Sequence, residues 1–350
     1  MMASRIRVVL IGAGRAGRVH ANSLTQHVPG GELVGLVDSV TETLRETGRM
    51  YGIDEAAQFA TLEAALDKLA FDAVVITTPT FTHKDLAVQA LSAGKHVLCE
   101  KPMALNLAEC DAMIQAAERG GVFLQIGFMR RFSPEFTAAA DRIFAGEIGQ
   151  PMMVKSLTHG PGLPPPWARD LKTSNGMLAE VNSHDLDCAR WLMQSNPDRV
   201  YVEVANFKGP SRGVDTPNFY DNVLTSIRFE NGSLGSISGI CPCDYGYDAR
   251  VEIVGERGIM QIGEMQGQPI VVCTNRDQGL ITPIYRTWPD RFAWGYIREM
   301  EHFIQSILAG TPPKVGGLDG RWAVAGVLAG TRSFLEARAV HVAEVLKEAV

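Results

Sequence analysis

Positive charge is in deficit in this chain. Lys and Arg total 33 against 39 Asp and Glu, a formal net charge of −6, and no basic stripe gathers on any stretch. That excludes the electrostatic footprint of a nucleic-acid or anionic-membrane binder. Long apolar runs are also missing at the start. Ile6 to Ile11 is far too short to span a bilayer and no small-residue cleavage pattern accompanies it, which predicts a cytoplasmic protein. Cysteines are few and scattered, at 99, 110, 188, 241, 243 and 273. Only Cys241-Pro242-Cys243 is a close pair, and no companion Cys or His cluster completes a zinc site. Reduced, partly buried thiols and no bound metal are the expectation. There is no solenoid-length repeat and no low-complexity tract.

What is present is ordinary globular material, 46% hydrophobic and 21% charged, long enough for two domains. The organising stretch is Ile6-Arg7-Val8-Val9-Leu10-Ile11-Gly12-Ala13-Gly14-Arg15-Ala16-Gly17. A β-branched run ends in G-x-G-x-x-G. Gly12 permits the tight turn, Gly14 lets backbone approach a pyrophosphate, and Gly17 lets the next helix pack on the strand. The helix start then offers free N–H groups to phosphate. A second apolar run, Glu32 to Val37, ends in Asp38, placed to grip the adenine ribose hydroxyls.

Strands and helices then alternate. Helices are predicted around Thr41 to Met50, His83 to Ala93 and Leu107 to Arg119, the last two stopped by Gly94 and Gly120. Strands are predicted at Ala73 to Thr77, His96 to Glu100 and Val122 to Gly127. Such βαβ units make a parallel sheet that binds ligands beyond its carboxyl ends, where Lys101 of Glu100-Lys101-Pro102 sits. Past residue 128 the pattern changes. Gly160 to Trp167 is a Pro/Gly-rich loop or lid that could cover a ligand, and Ser183 to Gln194 reads as a helix. Strands follow at Arg199 to Lys208, Asn222 to Phe229, Ser233 to Ile240, Ala249 to Val254 and Ile270 to Cys273. Asn231-Gly232 predicts a type I′ hairpin turn. Two helices close the chain, Phe292 to Ala309 and Asp319 to Arg338. Both faces of Asn222 to Phe229 carry apolar residues, with Leu224 opposite Val223, Ile227 and Phe229, so the open face of the sheet is expected to be an oligomer interface.

Oxidising an alcohol needs a base, a positive group for the developing oxyanion, and walls that fix the reacting carbon. Lys101 is one candidate. The other segment is Glu180-Val181-Asn182-Ser183-His184-Asp185-Leu186-Asp187, which if helical puts Glu180 and His184 on one face, one turn apart. No third ligand accompanies that pair, so a metal is not expected. Asp187 reads as structural.

These motifs, with Thr78-Pro79-Thr80-Phe81-Thr82-His83 and Gly94 to Pro102, resemble the glucose–fructose oxidoreductase/inositol dehydrogenase family. Glu180 to Leu192 resembles it too, and the likeness covers nearly the whole chain. Gly127-Phe128-Met129-Arg130-Arg131-Phe132 and Tyr245 to Glu256 lean towards the inositol dehydrogenase branch. The resemblance implies an α/β chain: an N-terminal NAD-binding Rossmann domain (residues 1–128) and a C-terminal α/β domain (129–350) for substrate binding and oligomerisation. The latter would have a large, mostly antiparallel open-faced sheet, joining homotetramers or homodimers. It implies NAD as cofactor, bound by Gly12, Ala13, Gly14, Arg15, Ala16, Asp38, Thr78, Pro79, His83, Glu100 and Lys101. Lys101, His184 and Glu180 would be catalytic. Met129, His159, Trp167 and Tyr245 would line the substrate pocket with them, and the Lys101–Pro102 bond would be cis. Glu180 departs from the Asp usual in inositol enzymes. The expected activity is oxidation of a secondary hydroxyl of an inositol, related cyclic polyol or sugar to the ketone. The alternatives are an NAD-dependent glycosidase of the same family and a non-catalytic dinucleotide sensor.

Overall fold

The computed structural model describes residues 5–267 and 283–348. Two compact units divide the chain. One runs to Ser133 and resumes over Trp294–Val324; the other holds Pro134–Ala293 and Ala325–Val350.

In the first unit β1 (Ile6–Ile11), α1 (Arg15–His27), β2 (Gly31–Val37), α2 (Thr41–Tyr51), β3 (Gln58–Phe59), α3 (Leu62–Lys68), β4 (Ala73–Ile76), α4 (His83–Ser92), β5 (His96–Glu100), α5 (Leu107–Gly120) and β6 (Leu124–Gly127) alternate. The strands lie in the order β3-β2-β1-β4-β5-β6 and are all parallel. Strand order reverses between β1 and β4, which places the ligand crevice beyond their carboxyl ends. The central strands are apolar on both sides because helices cover both faces. Gly94 ends α4 in a left-handed turn as expected, but α5 runs one residue past its predicted end. Gly120 stays helical, and its lack of a Cβ, which would lie 2.5 Å from Leu91 O, lets α5 pack tightly on α4; Gly121 takes the left-handed turn instead.

The second unit begins with α6 (Pro134–Phe144) and β7 (Pro151–His159). Three single turns follow, α7 (Pro166–Arg169), α8 (Leu171–Ser174) and α9 (Gly176–Glu180), then α10 (Ser183–Leu192). Next come β8 (Pro197–Ala205), β9 (Asn222–Phe229), β10 (Leu234–Ile240), β11 (Asp248–Gly255) and β12 (Ile259–Ile262). Long helices α11 (Trp288–Ala309) and α12 (Gly317–Glu336), then β13 (Val340–His341) and α13 (Val342–Lys347), finish the chain. The sheet order is β12-β11-β7-β10-β9-β8-β13, antiparallel except for the β7–β10 pair. Val223, Thr225, Ile227 and Phe229 of β9 are buried; Leu224, Ser226 and Arg228 between them are exposed. The predicted strand Ile270 to Cys273 lies outside the described residues.

Three local expectations are corrected. β8 stops at Ala205 rather than Lys208, because the backbone N–H groups of Phe207, Lys208 and Gly209 turn to cap the Asp221 carboxylate. The β9–β10 hairpin exists, but only Gly232 has positive φ, at +85°. Asn231 keeps negative φ because its side-chain oxygen accepts from Ser233 N and Oγ, so the turn is not type I′. The Gly160–Trp167 stretch is not all loop: Pro166 opens the α7 turn, with Trp167 inside it.

α11 breaks its helical geometry at Phe292, and the segment from Trp294 returns to the first unit. There Met300, Phe303 and Ile304 join the core of Val8, Leu10, Leu24, Leu36 and Leu98.

Candidate functional site

In the first unit the glycine loop follows β1. Gly12 has φ +92°, and a Cβ on it would sit 2.9 Å from Thr77 C and Thr78 N. A Cβ on Gly17 would meet Gly12 O at 2.0 Å, so α1 packs directly on the turn. Thr77 Oγ1 donates to that same Gly12 O at 2.6 Å. Gly14 differs: a Cβ there would touch nothing within 4 Å. Its bareness leaves an approach to the backbone open. Gly14 also caps α1 without a side-chain hydrogen bond, so the first-turn N–H groups keep their capacity for an anion.

Asp38 stands at the end of β2. Its Oδ2 accepts Ala13 N–H at 2.8 Å and its Oδ1 accepts Val40 N–H at 2.9 Å. Each oxygen keeps a lone pair for ribose hydroxyls. Ala13 is buried, Arg15 exposed and Ala16 intermediate. The open face over Gly14, the uncapped helix start and the anchored acid fit a dinucleotide.

Thr78 and Pro79 follow β4. The Thr82 hydroxyl ties to Thr78 Oγ1 and Pro79 O, both at 2.7 Å. His83 is buried, with Nδ1 2.8 Å from Pro102 O and Nε2 2.8 Å from Thr78 O. The neutral ring donates to one of these two carbonyls and lies against the other, so His83 sits between the Thr78 loop and the Lys101–Pro102 turn. Burial lowers its pKa against the opposing pull of those two carbonyls. The Lys101–Pro102 bond is cis, as is Cys241–Pro242. Lys101 is half-buried and donates its backbone N–H to Glu100 Oε2 at 3.1 Å. Met129 opens a short 3₁₀ turn after β6 and is 1% exposed.

In the second unit His159, Ser238, Tyr245 and Asp248 meet where β7 and β10 end and β11 begins. His159 is the last residue of β7 rather than part of the loop beyond it, paired with Asp248 on one side and Ile240 on the other. Its Nε2 lies 2.8 Å from Ser238 Oγ, and its Nδ1 meets the Tyr245 hydroxyl. Burial lowers the His159 pKa, opposed by the Asp248 and Asp185 charges. Burial, then the Asp248 carboxylate, pushes the Tyr245 phenol up. Arg250 holds Asp248 through two bonds of 2.8 and 2.9 Å.

Glu180 and His184 do not share one helix. Glu180 closes α9 and His184 lies in the first turn of α10, with Val181 and Asn182 as the joint. Asn182 N–H reaches back to Met177 O, and its side chain donates to Asp185 Oδ2 at 2.9 Å. Asp185 also accepts from Ser156 and Thr158 of β7, so it pins the start of α10 to the sheet beside His184. Trp167 is half-buried in α7, its carbonyl accepting from Thr173 Oγ1 at 2.6 Å.

Sequence reading missed Asp185, Ser238 and the Asp248–Arg250 pair. Asp185 had a signal, its place beside His184; Ser238 had only strand alternation, which fits any solvated strand.

Residues 6–128 match the model described as the oxidoreductase family with NAD-binding Rossmann fold, and residues 136–261 match the GFO/IDH/MocA C-terminal domain. The chain is 33% identical over 339 residues to scyllo-inositol 2-dehydrogenase (NAD(+)) of Bacillus subtilis, covering 95% of each. It is 30% identical to a myo-inositol 2-dehydrogenase of Thermotoga maritima, covering 97% of this chain and 100% of that one. Among solved structures, a probable dehydrogenase from Thermotoga maritima superposes with TM-score 0.88 at 30% identity, covering 97% of this chain and 100% of that one.

Proposed function

The chain belongs to the GFO/IDH/MocA oxidoreductase family, and we propose that it oxidises a secondary hydroxyl of an inositol or related cyclic polyol or sugar to the ketone. NAD is its cofactor. The observation that carries the reading is the arrangement at the carboxyl ends of β1, β2 and β5. There a bare Gly14, an uncapped helix start, the anchored Asp38 and Lys101 follow one another across a parallel sheet. Its relatives named for inositol oxidation supply the substrate class.

When bound, NAD supplies the hydride acceptor. The chain's own residues must then take the hydroxyl proton and support the oxygen as it gains charge. We assign the first task to His184 and the second, with proton relay, to Lys101. Glu180 orients His184 or holds a neighbouring hydroxyl; its extra methylene relative to the usual Asp changes which hydroxyl pattern it reads. Met129, His159, Trp167 and Tyr245 are assigned to the substrate wall. The His159–Tyr245–Asp248 chain supports this role, since it aligns donors and acceptors suited to sugar hydroxyls. Residues 1–128 are taken as the cofactor domain and 129–350 as the substrate and assembly domain, the latter lending Trp294–Val324 to the compact unit of the former.

The exposed sheet face bearing Leu224, Tyr201 and Leu234 supports assembly into a homodimer or homotetramer through that face. A cytoplasmic setting fits the five described cysteines, all of them buried thiols. The deciding experiment is a panel of inositol isomers and sugars with NAD and with NADP, read as the absorbance of the reduced cofactor. Stoichiometric NADH release supports the dehydrogenase; hydrolysis without net NADH would replace it with the glycosidase.

A further inference from the structure

Three buried titratable side chains of the first unit cluster together, and two of them, His20 and Glu299, have no part in the chemistry above. His20 comes from α1, Glu100 from the end of β5 and Glu299 from α11, and one ligating atom of each lies within 4.8 Å of the others. His20 Nε2 is 2.7 Å from Glu100 Oε1, and Lys101 N–H reaches Glu100 Oε2. Glu299 is 0% exposed, and neither of its carboxyl oxygens has a hydrogen-bond partner among the described residues. Glu100 is tightly seated, for a Cβ on Gly127 would come 3.1 Å from its Oε2.

Two carboxylates this close, away from water, cannot both ionise. One must carry a proton. Glu100 already receives His20 Nε2 and the Lys101 N–H, and both bonds favour its charged form. Glu299 accepts no hydrogen bond from any described residue. We propose that Glu299 is a protonated carboxylic acid in the working protein and a positioning residue for Lys101. By staying neutral it leaves Glu100 as the single anion of the cluster, and Glu100 holds the Lys101 main chain.

The electrostatics agree with that geometry. Burial, and then the Glu100 charge, pushes the Glu299 carboxyl well above the ordinary range. Burial also pushes Glu100 up, but the His20 hydrogen bond and charge, with Lys101, outweigh it and hold Glu100 low. The other groups facing the cluster are Tyr296, whose ring meets His20 edge-on at 5.4 Å, and His83 and Cys99, both of which feel the Glu100 charge.

The kinetic part of this proposal rests on the dehydrogenase reading; the spectroscopic part does not. Infrared difference spectra of the full chain between neutral and alkaline pH should show a protonated-carboxyl C=O band that Glu299→Gln abolishes. In Glu100→Gln that band should titrate at lower pH, because the like charge beside Glu299 is gone. Glu299→Gln should leave the pH profile of kcat/KM in place, since one neutral group replaces another. A native spectrum without the band at neutral pH overturns the proposal. So does an alkaline limb moved down by about one unit in Glu299→Gln, the signature of an anion removed near Lys101. A divalent cation that co-purifies with the native chain and is lost from Glu299→Gln overturns it as well, for Glu299 would then be a metal ligand. If no polyol is oxidised, the infrared arm still decides.

Discussion

Asp38 accepts the backbone N–H of Ala13 at 2.8 Å, although 25 residues separate them. The acid we assign to the ribose is thereby locked to the glycine loop we assign to the phosphates. Hydrogen bonds to a charged group contribute about 1.5–3 kcal/mol, so Asp38→Ala should weaken NAD binding roughly ten- to a hundredfold by calorimetry. The carboxylate also repels a 2′-phosphate, so native turnover should favour NAD. Faster native turnover with NADP would remove Asp38 from this role.

Asp185 should matter for stability more than its place in a helix suggests. It is buried and receives Ser156, Thr158 and Asn182. Asp185→Ala strands those donors in the interior, at a cost of roughly 2–4 kcal/mol. Chemical denaturation should show that loss, and kcat should fall with it because His184 is the next residue. A variant as stable as the native chain would mean the clamp is idle.

Acid should destabilise the fold through its histidines. Burial is the leading cause that lowers the pKa of His83, His96, His159 and His302 from 6.5. In the unfolded chain these rings take protons near 6.5, while the folded rings resist until lower pH. The unfolded state therefore binds more protons as pH falls, and stability is lost from that value downward. Melting temperature should drop between neutral pH and about pH 5, and His83→Gln should flatten the slope. An unchanged slope in that variant would show that His83 titrates alike in both states.

The glycine loop, Asp38 and Lys101 were legible because each motif is local: a turn, a strand end, a fixed spacing. The parallel order of the first sheet followed from alternating strands and helices. What stayed hidden was set by distant partners. Nothing in Arg298-Glu299-Met300 signals that Glu299 returns beneath Glu100, since an acid on an amphipathic helix usually meets water. The helix start at Ser183 was legible, but the short turn of α9 that ends at Glu180 was not, so the one-face pairing of Glu180 with His184, which required a single helix, does not form. Gly120 looked like a helix stop and proved to be a packing contact, which is the other common use of a bare backbone.

Glu180 tests the substrate. Glu180→Asp restores the shorter acid usual in inositol enzymes and should shift kcat/KM between inositol isomers by about tenfold, or roughly 1.4 kcal/mol. The same isomer panel reads it. Identical preferences in both proteins would mean that this carboxylate orients His184 and touches no substrate hydroxyl.

Lys101 and His184 should behave as one catalytic unit. A hydride leaves carbon readily only while the attached oxygen becomes an alkoxide, so proton removal and support of that oxygen belong to one transition state. A positioned acid–base group contributes about 10²–10⁴-fold, and Lys101→Ala and His184→Ala should each lower kcat by that order with NAD affinity nearly unchanged. The double variant should lose much less than the product of the two single losses, because groups that act together are non-additive. Protonation of the His184 imidazole removes the base, so kcat/KM should fall on the acid side and that limb should vanish in His184→Ala. A His184→Ala enzyme with near-native kcat would show that another group takes the proton, and Lys101 would then become the base.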